Sequence, residues 1–185
     1  MRLLLPILAL LLFTACKDKK YCDCCENEGL SARFPLNIGP DHPDSLFTEA
    51  LLYVPNIMVY DGDGINNFFL VFSNAGVVEI ISLEVEDKKG NRLFSRYNVM
   101  PADIGAAWTG VTSGGTRFEG SFNYTLVVRL YDGQVKTLDG SACAFPCGDA
   151  GFPTKQLDNC RFTNQNNGNG EYDPTQPGAL PGCFE

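Results

Sequence analysis

The chain has 185 residues and a formal net charge of −8, with 14 Lys and Arg set against 22 Asp and Glu and a single histidine. This balance excludes the basic stripe with which nucleic-acid-binding proteins neutralise phosphates. The lone His42 lies between Asp41 and Pro43 with no partner in any motif, and no serine sits in a Gly-x-Ser-x-Gly turn, so no enzyme and no catalytic residue are expected.

Taken in chain order, Arg2 is the only charge before Cys16, and residues 3–13 form an apolar run broken only by Pro6. The run is too short for a permanent span, which needs roughly 20 apolar residues. Its length fits the apolar core of a secretory signal peptide. Thr14 and Ala15 lead into Cys16, a pattern that resembles the lipobox of bacterial lipoproteins, whose cysteine is acylated and becomes the first residue; Phe13 stands where leucine is commoner. The other reading is an ordinary signal peptide cut nearby, with Cys16 left as a thiol. Acyl chains stabilise membrane attachment by about 0.8 kcal/mol per buried CH2, and two chains suffice for stable anchoring. The expectation is therefore an exported protein, anchored through Cys16 in the outer membrane of a Gram-negative envelope, with residues 1–15 removed. Residues 16–185 suffice for one domain with its own core.

Residues 16–50 read as a lipidated tether and an irregular segment. Lys17, Asp18, Lys19 and Lys20 are solvated, and Pro35, Gly39, Pro40 and Pro43 punctuate the second half of the segment against long regular elements. Residues 51–142 read as the folded module. Apolar and β-branched residues cluster at 51–60, 68–72, 77–85, 92–97 and 122–131. Leu83, Val85 and Asp87 alternate with Glu84, Glu86 and Lys88, and Tyr124, Leu126, Val128 and Leu130 with Thr125, Val127, Arg129 and Tyr131. Period two over such lengths predicts half-buried strands. Lys88-Lys89-Gly90-Asn91 and Asp132-Gly133 read as hairpin turns. No amphipathic helix is evident, so the predicted fold is an all-β sandwich. Residues 143–185 turn to Gly, Pro, Asn and Cys and cannot bury a core of their own. Their order must come from bridges and from Phe152, Phe162, Tyr172 and Phe184 packing onto the sandwich.

Besides Cys16 the cysteines are Cys22, Cys24, Cys25, Cys143, Cys147, Cys160 and Cys183, three before the module and four after it. In an oxidising compartment disulfides are the default, and the odd count leaves one thiol free or paired with another chain. The spacings do not match the Cys-x2-Cys knuckles of a zinc ribbon. The expected pattern joins one or two of Cys22, Cys24 and Cys25 to Cys143 or Cys147, and Cys160 to Cys183.

The most specific stretch is Tyr53-Val54-Pro55-Asn56-Ile57-Met58-Val59-Tyr60-Asp61-Gly62-Asp63-Gly64-Ile65-Asn66-Asn67-Phe68-Phe69. It resembles the opening of the gliding-motility-associated C-terminal domain family of Bacteroidota, also called the type B sorting domain of the type IX secretion system. Pro55, Asn56, Gly62, Asp63, Gly64, Asn66 and Phe69 fall in register, with Asp61 and Asn67 as close replacements. Residues 83–94 resemble the family's hairpin, Trp108-Thr109-Gly110 its Trp-Asp-Gly element, and Gly120-Ser121-Phe122-Asn123-Tyr124 a strand start. The resemblance covers residues 52–140 and implies an immunoglobulin-like β-sandwich. Family sorting domains end their chains, whereas this chain continues through residues 141–185, so the expectation is the same module reused in a lipoprotein.

Two local readings stay open. Asp61, Asp63, Asn66 and Asn67 in a Gly-rich loop offer the hard oxygen ligands of a calcium site, although Phe72 stands where an EF-hand carries its bidentate Glu. Alternatively the loop is an Asx-type turn, the preferred reading, with no cofactor. Trp108 is either a core plug, the preferred reading, or a platform on which a sugar stacks. The function expected is a structural or binding module docking another envelope or surface protein or a glycan, the alternative being a type IX cargo whose sandwich is its sorting domain.

Overall fold

The computed structural model describes residues 21, 23–26, 28–38, 48–60, 64–148, 158–178 and 183. Cys16, Cys22, His42, Asp61, Asp63, Phe152 and Phe184 lie outside the described residues. Eight strands and two 3-10 turns are found among those described, with no α-helix: β1 Leu30–Pro35, β2 Glu49–Val54, β3 Ile57–Tyr60, β4 Phe72–Ser73, β5 Val77–Asp87, β6 Arg92–Val99, β7 Gly120–Leu130 and β8 Val135–Pro146. They form two sheets, β1-β2-β4 and β3-β8-β7-β5-β6. The fold is all-β and sandwich-like, with the main core between the sheets.

The core follows from the alternation. Leu83 and Val85 of β5, and Phe122, Tyr124, Leu126, Val128 and Leu130 of β7, are buried against Leu52 and Val54 of β2. Thr125 and Arg129 point to solvent, as period two requires. The β5–β6 hairpin is closed by Asp87, whose Oδ1 accepts from the amides of Lys89 and Asn91, each at 2.8 Å. Gly90 takes the left-handed backbone there, with φ 81°. At the second hairpin Asp132 accepts from the Gln134 amide at 3.0 Å.

Trp108 is a core plug. It is 1 % exposed, meets Phe122 edge-on at 5.0 Å, and its indole N–H donates to the Val111 carbonyl at 3.1 Å. Phe69 meets Phe122 in the same way at 5.1 Å, a geometry that places positive ring edges against negative faces. Burial of Trp108 corrects the sugar-platform reading.

Four expectations about elements need correction. The run at 51–60 is two strands in different sheets. Pro55 has no amide to donate, and the chain crosses from β2 to β3 at Pro55-Asn56, where β3 pairs parallel with β8. The run at 68–72 contributes only Phe72 to β4, and Phe69 forms an isolated bridge with Trp108. The segment read as irregular before residue 51 contains β1, paired antiparallel with β2 from Leu30 to Pro35. Its proline sits at the end of a strand bordering only one neighbour, where a missing donor costs little. Finally, strand structure does not stop at residue 142, because β8 runs on to Pro146 and residues 143–146 carry β3.

Leu126→Ala removes a fully buried side chain from the centre of β7 and is expected to cost about 2–5 kcal/mol in urea unfolding. Val127→Ala, on the opposite face, is expected to cost under about 1 kcal/mol. Equal losses would contradict the facing of β7.

Candidate functional site

The cysteines organise one end of the molecule. Cys24 is bonded to Cys143, Cys25 to Cys160, and Cys147 to Cys183. No cysteine is free among the described residues. The Cys24–Cys143 bridge joins the flanks as expected. The expected Cys160–Cys183 pair is corrected: Cys143, on the β8 segment paired with β3, is buried beside Cys24 in the second cluster, and the next residue, Cys25, bonds Cys160. Cys25 has φ 55°, a left-handed backbone that points successive side chains apart. Around these bridges Tyr21, Ile57, Val59, Phe145 and Phe162 make a second apolar cluster. All of β3 is therefore buried, Met58 and Tyr60 toward the main core and Ile57 and Val59 beneath the staples.

Asn56 pins the tail to this corner. It is 3 % exposed. Its Nδ2 donates to the Asn159 carbonyl at 3.0 Å, its Oδ1 accepts from the Arg161 amide at 2.6 Å, and its own amide donates to the Arg161 carbonyl at 3.0 Å. Its carbonyl accepts from Cys143 at 2.9 Å. A buried carboxamide with every group engaged is a specific joint, since any unmade bond leaves a desolvated polar atom. The motif marks Asn56 without giving it this role; a Pro-Asn step inside an apolar run is the signal in the sequence.

The Asn/Gly-rich tail docks on the loop after β3 mainly through polar groups. Asn66 donates to the Gly178 carbonyl at 2.9 Å and accepts from the Asn164 amide at 3.2 Å. Thr163 donates to the Phe68 carbonyl at 2.7 Å, and the Tyr53 hydroxyl to the Phe162 carbonyl at 2.7 Å. Asn67 donates to the Gly64 carbonyl at 3.1 Å. Of the four calcium-ligand candidates, Asp61 and Asp63 lie outside the described residues, and the Asn66 oxygen is occupied by the tail. Among the described residues no group of three or more His, Cys, Asp or Glu is placed to hold a metal ion. The expected apolar docking holds for Phe162 and Tyr172, which join the two smaller clusters, with Arg161 4.3 Å over the Tyr172 ring.

Trp108-Thr109-Gly110 also gains a physical reason. Gly110 has φ 75°, and a Cβ there would lie 1.8 Å from the Tyr60 hydroxyl, which donates to the Phe118 carbonyl at 2.8 Å. On the side of the molecule, residues 28–31 and 139–141 face each other across a groove of about 770 Å³, with Tyr124 and Glu86 also lining it.

No protein-family model matches the chain, and no curated protein matches it significantly.

Peptide mapping of the oxidised protein is expected to recover the Cys25–Cys160 and Cys147–Cys183 linkages, and a Cys160–Cys183 peptide would contradict the arrangement. The double variant Cys25→Ser/Cys160→Ser removes the bridge that ties the tail to residue 25 and is expected to lose about 2–5 kcal/mol of stability.

Burial raises the phenols of Tyr53, Tyr60 and Tyr124 well above the ordinary tyrosine value. Their neutral forms stabilise the fold fully below pH about 10, and that contribution is lost as pH climbs through the raised folded values. Absorbance titration is expected to show these three ionising only with alkaline unfolding. Ionisation of all 7 tyrosines near pH 10 with strand structure retained would contradict the burial.

Proposed function

We propose that the protein is a lipoprotein of the outer envelope whose immunoglobulin-like sandwich acts as a structural or binding module, docking another envelope or surface protein. One feature supports export: three disulfides are those of a chain sent to an oxidising compartment.

The observation that carries the reading is the burial of Tyr21, Cys24 and Cys25 so soon after the lipobox. Extended chain covers at most about 3.6 Å per residue, so the stretch from Cys16 to Tyr21 reaches no more than roughly 18 Å. A tether of residues 17–50 is thereby replaced by a short link, because Tyr21, residues 23–26 and β1 belong to the folded body. Acyl chains on Cys16 would hold the stapled face close to the membrane. The β5–β6 hairpin lies on the same side, since Lys88 pairs with Asp23 at 3.7 Å. The β7–β8 turn would face away, and the side groove opens beside the stapled face, between residues 28–31 and 139–141.

The second reading, a cargo whose sandwich addresses the type IX secretion machinery, draws on the motif at residues 53–69. Metabolic labelling with a fatty-acid analogue separates the two. The wild type is expected to be labelled and Cys16→Ser unlabelled. An unlabelled wild type, or label persisting in Cys16→Ser, would overturn the lipoprotein reading.

A further inference from the structure

We infer that the cleft between β1 and β8 is a docking site for an extended, lysine- or arginine-bearing segment of a partner protein. The inference rests on the docking-module reading and names the partner's chemistry.

Two strand edges form the cleft walls. β8 pairs with β7 over residues 135–144, but β3 covers its other edge only at residues 143–146. β1 pairs with β2 alone. Among the described residues no other strand pairs with either edge. The strands run side by side in opposite directions. They touch at one end, where Lys136 lies 5.8 Å from the Phe34 ring centroid and Gln134 reaches the Pro35 carbonyl at 3.5 Å. At the other end residues 28–31 and 139–141 diverge to open the cleft. An uncovered edge offers alternate N–H and C=O groups to an added strand. Walls of this length fit about four extended residues, or roughly 13 Å of chain.

The charge selects the added strand. Glu28, Glu86 and Asp139 line the cleft, and among the described residues no lysine or arginine does. Glu28 is paired with Arg161 at 3.3 Å. Asp139 accepts only a neutral hydroxyl, that of Thr125 at 2.7 Å. Glu86 has no ion-pair partner among the described residues, so two of the three carboxylates make no ion pair there; the nearby Lys88 donates to the lining Asn123 at 3.3 Å.

Tyr124 adds an independent observation. It is 3 % exposed, yet its hydroxyl makes no hydrogen bond among the described residues. Its ring lies against Gly140, where a Cβ would come within 2.2 Å of the hydroxyl oxygen, and both residues line the cleft. Burial keeps the phenol neutral, so its oxygen is free to accept from an ammonium or guanidinium group. A sugar is a poorer fit, because the only aromatic ring among the described lining residues is laid against Gly140 and offers no open face for stacking.

The test titrates the full mature chain, in detergent micelles, into a fluorescent octapeptide of alternating lysine and threonine, with a glutamate–threonine octapeptide as control. The lysine peptide is expected to bind, more weakly as salt is raised, and the glutamate peptide not to bind. Glu86→Gln/Asp139→Asn should weaken binding by at least about tenfold. Tyr124→Phe should weaken it several-fold with an unchanged melting temperature, since the hydroxyl bonds no other described residue. Equal binding of both peptides, variants that bind like wild type, or binding of a neutral hexasaccharide in place of the lysine peptide would overturn the proposal. The titration does not use the acyl group. Failure here with Cys16 labelled overturns the cleft alone, and an absent label overturns the anchor alone.

Discussion

Cys24 and Cys25 are neighbours in sequence bonded to two distant parts of the chain. One bridge spans 119 residues to β8 and the other 135 residues to the tail. Cross-links over such distances remove much of the freedom of the unfolded chain; in the chain-entropy account the first to close is worth about 4–5 kcal/mol when unstrained, and the second, which then closes only the short path from residue 143 to 160, about 3 kcal/mol. Their geometric consequence is larger still. The N-terminal segment, β8 and the tail are held at one corner, and β3 becomes a strand buried on both faces. Without the bridges, Ile57 and Val59 would lie on an open face, and the Asn/Gly-rich tail would have no reason to stay against the sheet.

The bridges act together with a buried polar joint. Asn56 holds the tail backbone at Asn159 and Arg161, and Asn66 holds it at Asn164 and Gly178. Buried carboxamides specify position more sharply than apolar contact, because a shifted register would leave their atoms unpaired. The Pro-Asn and Asn-Asn steps of the loop therefore serve as sockets for the tail. The oxygen of Asn66 is used as a hydrogen-bond acceptor in this socket.

Strands with one buried face are legible in the residue pattern alone. Leu83-Glu84-Val85-Glu86 and residues 124–131 alternate because one face meets the core and the other meets water. β1 and the first half of β8 are not legible in this way, for a shared reason. Each borders the side cleft with one edge uncovered, and Ser31, Arg33, Thr137 and Asp139 give them the look of loops. The split at Pro55-Asn56 is hidden because both resulting strands are apolar, one belonging to each sheet. Cysteine spacing announces bridges between the flanks. It cannot pair them, since the partner of Cys160 depends on the left-handed turn at Cys25 and on the parallel course of β3 along β8.

These features make the stapled corner the fixed end of the molecule and the cleft its open side. The central claim is that the segment around Cys24 and Cys25 is part of the folded body rather than a flexible leash. Native-state hydrogen exchange tests it most directly. The Cys24 amide donates to the Tyr21 carbonyl at 3.0 Å and the Cys143 amide to the Asn56 carbonyl at 2.9 Å. In the oxidised protein both amides should be protected alongside those of β7, and reduction should release Cys24 first. A Cys24 amide exchanging at the rate of free chain while the bridges are intact would contradict the account.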